Sequence, residues 1–112
     1  MGIAKEQVRD AILEAASKPH MTWHGEIASK VTVIHLAPYS GLMNHLLGAV
    51  FEDEHAADRP ALTSIVAHKN GDKEPGPGFY DMARKLGYQF AEPYIFWAEQ
   101  VKDVFGLYGG IH

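Results

Sequence analysis

The sequence predicts an α+β domain that is mostly helical, with four to five helices and a small hairpin or sheet near its middle. Three observations carry this. Apolar residues recur at three- and four-residue spacing in several separate segments. One segment, residues 61–69 (ALTSIVAHK), is β-branched and apolar and runs into Asn70-Gly71, a strong two-residue turn signal. Helix starts and stops stand between these segments: Pro19, Ser40, Pro60, Gly87 and Pro93. The chain of 112 residues is of a size that suits one domain, 1–112.

The first helix is expected over Ala4–Ser17, where Val8, Ile12 and Ala15 share a face and Pro19 ends the pattern. Thr22 is placed to cap a short second helix through Trp23, Ile27 and Ala28. Residues 31–37 read either as a strand or as a buried connector. Ser40 caps a third helix over 41–57, whose apolar stripe combines Leu42, Leu46 and Val50 with Met43, Leu47 and Phe51. A strand over 61–69 follows, and KEPGPGFY allows only a short or edge return strand, because proline donates no ladder hydrogen bond. A fourth helix opens at Phe79 or Tyr80 and closes at Gly87. Pro93 starts a fifth, with Tyr94, Trp97, Val101, Val104 and Tyr108 on its buried face. Leu46, Val50, Ile65, Val66, Phe79 and Trp97 are the expected core.

Two or three helices followed by a hairpin give a winged-helix-like order, here with two further helices. The stretch TWHGEIASKV resembles the Thr-Tyr-Gly-Glu-Ile-Ala helix of alkyltransferase-like winged-helix proteins, which bind DNA, with His24 inserted into the pattern. The chain has no cysteine, so the alkyl-transfer chemistry of that family is excluded. The segment RPALTSIVAHKNGDKEPGPGFYDMA is similar to small bacterial and phage proteins carrying Arg-Pro-x-Leu-Ser/Thr, a strand ending in Lys, and Pro-Gly-x-Gly-Phe. That grouping implies a phage-type regulator or anti-defence protein and no particular chemistry.

Lacking cysteine, the chain has no disulfides, thiolate metal sites or cysteine nucleophiles, which points towards a cytoplasmic setting. Its first 18 residues are polar and amphipathic, and no run approaches a membrane span. Ten basic residues against 14 acidic ones give a formal charge of −4, which weighs against a nonspecific nucleic-acid binder.

Four patterns are candidates for chemistry. Pro75-Gly76-Pro77-Gly78 precedes a helix start, where free N–H groups and the helix dipole suit an anion; the plainer reading is a stiff corner. Glu52, Asp53, Glu54, His55 and Asp58 crowd the end of the third helix. Glu52 and His55, three apart, could face one metal, but a solvated acidic helix end is the plainer and favoured reading of the run. Ser64 with His45 or His68 could pair a nucleophile with a base, but no nucleophile elbow surrounds it. A strand ending in Lys69 resembles metal nucleases of the Asp…Glu-x-Lys type, except that Ala67 stands where a carboxylate belongs.

The leading expectation is therefore a non-enzymatic binding domain that needs no cofactor. Its partner is a protein or a nucleic acid, met through residues 59–80. Arg59, Lys69 and Lys73 would position the partner, with His68 beside them, and Gly76 and Gly78 would shape the loop. The alternative is a small metal-dependent hydrolase or nuclease built on the Glu52–Asp58 cluster. The aromatic C-terminal segment, richer than one helix face can bury, suggests a homodimer contact.

Overall fold

A computed structural model of the chain describes residues 2–67 and 75–109. In order, these form α1 (Gly2–Ser17), β1 (Thr22–Trp23), α2 (His24–Lys30), α3 (Gly41–Ala56), a 3-10 turn (Leu62–Ile65), β2 (Val66–Ala67), α4 (Pro77–Lys85) and α5 (Pro93–Tyr108). The mostly helical α+β expectation holds: five helices surround a two-stranded sheet among the described residues. The strands run parallel, with Thr22 opposite Val66 and Trp23 opposite Ala67. They bring together segments more than 40 residues apart in the chain. The Asn70-Gly71 turn and its return strand fall outside the described residues.

Helix α1 buries Ala4, Val8, Ala11, Ile12 and Ala15 against α2, α3 and α5. It closes where the Ser17 hydroxyl donates to the Glu14 carbonyl at 2.8 Å and Pro19 breaks the pattern. Thr22 does not cap α2. It lies in β1, fully buried, and donates its hydroxyl to Glu26, while the extended Trp23 occupies the N-cap position without a side-chain bond. Pairing with β2 holds Thr22 one residue too early in the chain for capping. Residues 31–40 form a connector rather than a strand. Val31 and Leu36 are buried, and the Gln7 side-chain oxygen accepts the Thr32 and Val33 amides at 2.9 and 3.2 Å.

Helix α3 starts as its sequence indicates, with the Ser40 hydroxyl accepting the Met43 amide at 3.1 Å. Its buried stripe is Met43, Leu46, Val50 and Phe51, continued by Glu54. Over its described residues, 61–67, the segment expected as a strand is not one throughout. Leu62–Ile65 coil into the 3-10 turn, and among the described residues only Val66–Ala67 extend; residues 68 and 69 lie outside the described residues. The 3-10 turn lies between α1, α3 and α5 and is buried, and side chains add to its backbone hydrogen bonds. Gln100 accepts the Ala61 amide at 2.8 Å, and the Trp97 indole donates to the Ser64 carbonyl at 2.7 Å.

Helix α4 begins at Pro77, two or three residues before the expected Phe79 or Tyr80, and α5 at Pro93 as expected. The predicted core residues are all buried, but in two clusters. Leu46, Val50, Ile65 and Val66 join α1–α3 and α5, whereas Phe79 and Trp97 join Phe51, Ala83 and Phe96 under α4. Met21 and Val101 pack against both. The aromatics of the last quarter are therefore mostly absorbed. Phe96 and Trp97 are buried, Tyr88, Phe90, Phe105 and Tyr108 half-buried, and Tyr94 alone of these is exposed. Helix α5 buries them because it is clasped on two sides, by both clusters. No helix among the described residues is long and apolar enough to cross a membrane.

Candidate functional site

Between α3, α4 and the Pro75–Gly76 corner lies a cleft of about 380 Å³. Helical spacing aims one wall into it: Asn44, Leu47, Gly48 and Phe51 sit three, four and seven residues apart on α3. Phe79 and Met82 form the α4 wall in the same way. Thr63 and Val66 come from the 3-10 turn and β2, and His24 from the start of α2. His24 is buried and fixed, its Nδ1–H donating to the Ala67 carbonyl at 2.9 Å, so that the imidazole spans the β1–β2 junction. The Phe51 and Phe79 rings stack at 5.3 Å. The Met82 methyl rests against Gly48, where an added Cβ would stand 2.8 Å from it.

The Pro-Gly-Pro-Gly corner thus borders a largely apolar cleft, though not for the backbone reason its glycines suggest. Gly76 has an ordinary extended conformation (φ −72°), and a Cβ at Gly78 would meet nothing within 4 Å. The start of α4 is also poor in donors. Pro77 has no N–H, the Phe79 amide donates back to the Gly76 carbonyl at 3.1 Å, and no side chain caps the helix.

The acidic end of α3 is organised around Glu54, which the sequence presents as one acid among several. Its carboxylate has no exposed surface. It accepts from Arg59 Nε, from Arg9 Nη2 at 3.3 Å and from the Tyr108 hydroxyl at 2.7 Å. Arg59, expected to face a partner, therefore turns its guanidinium inward, and the hydrogen bond to Glu54 raises its pKa further. Asp53 pairs with Lys5 at 2.8 Å, and His55 shares a 3.3 Å hydrogen bond with the Tyr88 hydroxyl. Glu52 is exposed, and no three His, Asp or Glu side chains among the described residues converge as metal ligands. The alternative reading of a Glu52–His55 metal pair gains no third ligand there.

One signal in the sequence could have singled out Glu54. It continues the Met43–Leu46–Val50 stripe at the next four-residue step, and a charge on a buried stripe requires a buried partner. The Ser64 hydroxyl is buried without a hydrogen-bond partner among the described residues, and His45 is exposed. His68, Lys69 and Lys73 lie outside the described residues.

No protein-family model, no curated protein and no solved structure matches this chain.

Proposed function

We propose that this chain is a non-enzymatic binding domain that engages another protein through the face around the Pro75–Phe79 corner. The cleft beneath that corner carries the reading. It is concave and largely apolar, and among its described lining residues only His24, Asn44 and Thr63 carry polar side chains. No Lys, Arg, Asp or Glu is among its described lining residues. A nucleic-acid surface needs cations for phosphates. The formal charge is −4, and Arg59, the described cation of the 59–67 segment, is committed to Glu54.

The winged-helix-like part of the reading rests on the order of α1–α3 before β2. The parallel pairing of β1 and β2 differs from the antiparallel wing of that fold. A phage-type regulator or anti-defence role, acting in the cytoplasm, rests on the resemblance of residues 59–83 alone.

A photoreactive amino acid at Gly78, where a side chain meets open space, tests the reading in cells. The expected result is a discrete adduct that protease destroys and nuclease does not. The same probe at Glu99, exposed on α5 and outside the cleft, should give none. A nuclease-sensitive adduct would replace the protein partner by nucleic acid. Absence of any adduct at Gly78 would remove this face.

A further inference from the structure

We propose that the cleft between α3 and α4 receives one uncharged aromatic side chain of the partner protein. The inference rests on the binding-domain reading above and names what that site takes. Size is the first argument. A cleft of about 380 Å³ stands near the small end of the roughly 300–1,000 Å³ of ligand pockets, which suits a single large side chain rather than a nucleotide or cofactor.

Charge is the second. A charged occupant would be desolvated against carbon walls with no opposite charge among the described lining residues. The start of α4 offers an anion fewer donors than an ordinary helix N-terminus, because Pro77 lacks an N–H and Phe79 spends its own on Gly76.

The cleft walls also match an aromatic ring in shape and polarisability. Phe51 and Phe79, stacked on each other, both line the cleft, and an aromatic wall favours an aromatic occupant. The Met82 thioether faces the same space and favours an aromatic neighbour. Asn44, exposed on the first turns of α3, presents a carboxamide that can meet the backbone amide carrying the inserted ring. Aromatic anchors in such pockets commonly dominate protein interfaces.

The test uses the isolated chain and capped amino acids as probes. N-acetyl-L-tryptophanamide and N-acetyl-L-phenylalaninamide should saturably shift the NMR signals of the Met82 methyl and the Gly48 amide. Dissociation constants of about 1–10 mM are expected, the range open to ligands of this size. N-acetyl-L-leucinamide should bind at least about fivefold more weakly, lacking the stacking contribution. Inorganic phosphate should shift neither signal. Gly48→Ala, which crowds the Met82 methyl towards the cleft, should weaken the aromatic probes by about fivefold or more. Intermolecular NOEs from the indole to the Met82 methyl in the unaltered chain keep the test independent of that variant.

The inference is overturned if no aromatic probe saturates, if the leucine probe binds as tightly, if phosphate alone shifts these signals, or if the NOEs fall elsewhere. The partner reading can fail at Gly78 while the aromatic probes still bind, and the reverse also holds, so the two failures are distinguishable.

Discussion

Tyr108, in the last turn of α5, donates a 2.7 Å hydrogen bond to Oε1 of Glu54, a carboxylate with no exposed surface at the end of α3. Arg9 of α1 and Arg59 of the following turn complete the set. One buried charge thus ties three helices and the 57–60 corner together. Both arginines keep roughly a third of their side chains in solvent, so the cations stay hydrated while the anion gives up its water. That asymmetry decides what each change should do.

Glu54→Gln retains the shape and loses the charge, leaving two guanidinium groups and a hydroxyl to a weaker acceptor. The expected cost is about 1–3 kcal/mol, read as a lower denaturation midpoint. Arg59→Ala leaves the buried carboxylate with Arg9 and Tyr108. Its melting temperature should fall more than that of Lys5→Ala, which breaks an exposed pair to Asp53. Equal falls would mean that Glu54 does not depend on Arg59.

The tyrosine also sets a pH dependence. Burial pushes the Tyr108 hydroxyl above its ordinary value, and the hydrogen bond to Glu54 pushes it the same way. Tyr88 is raised as well, chiefly by burial and then by Asp58. In the unfolded chain both ionise near pH 10. Below that pH both states hold the protons and stability is unaffected. Above it the unfolded chain releases protons first, so stability falls as pH rises through the higher folded values. Tyr108→Phe should reduce the steepness of this alkaline loss in melting temperature and leave the slope near neutrality unchanged.

Elements governed by local chemistry were legible in the sequence. The Ser40 cap, Pro93 at the first turn of α5 and the stripe of α1 each follow from neighbours a few residues away. Elements governed by distant partners were not. Residues 62–65 have strand-like composition, yet Trp97 and Gln100, more than 30 residues away, satisfy their segment and let it coil. Thr22 reads as a cap until Val66 pairs with it. At the candidate site, the Pro-Gly-Pro-Gly corner stood out, but the cleft walls come from α2, α3 and the 3-10 turn, whose meeting is a tertiary fact.

The two helix ends that use a left-handed residue make a paired prediction. After α4, Gly87 (φ 99°) donates to the Arg84 carbonyl and Tyr88 to that of Ala83, both at 3.0 Å. After α3, Asp58 (φ 61°) and Arg59 make the equivalent bonds to His55 and Glu54 at 3.0 and 2.9 Å. The same Schellman geometry therefore holds a glycine in one place and a strained aspartate in the other. Gly87→Ala should cost about 1–2 kcal/mol, whereas Asp58→Gly should stabilise by roughly 0.5–1 kcal/mol. Urea midpoints that move in the same direction for both would contradict this account.

In the core, Leu46 is 1% exposed and packs with α1, the 3-10 turn and Val104 of α5. Leu46→Ala should cost about 2–5 kcal/mol in chemical denaturation. A midpoint close to that of the unaltered chain would mean that α3 does not pack on the first cluster.

Gly48 is where helix propensity and helix packing oppose each other. It lies in the middle of α3, where alanine is favoured by roughly 0.8–1.0 kcal/mol. A new Cβ meets the Met82 methyl at 2.8 Å, but that methyl ends a flexible side chain beside an open cleft and can swing aside. Gly48→Ala should therefore melt no lower than the unaltered chain. Gly48→Val adds two further methyls and a β-branched centre, which a helix restricts. Those methyls press on the α3–α4 contact itself, so this variant should melt clearly lower. If alanine destabilised as much as valine, the contact would be backbone-tight and Met82 would not be the yielding wall of the cleft.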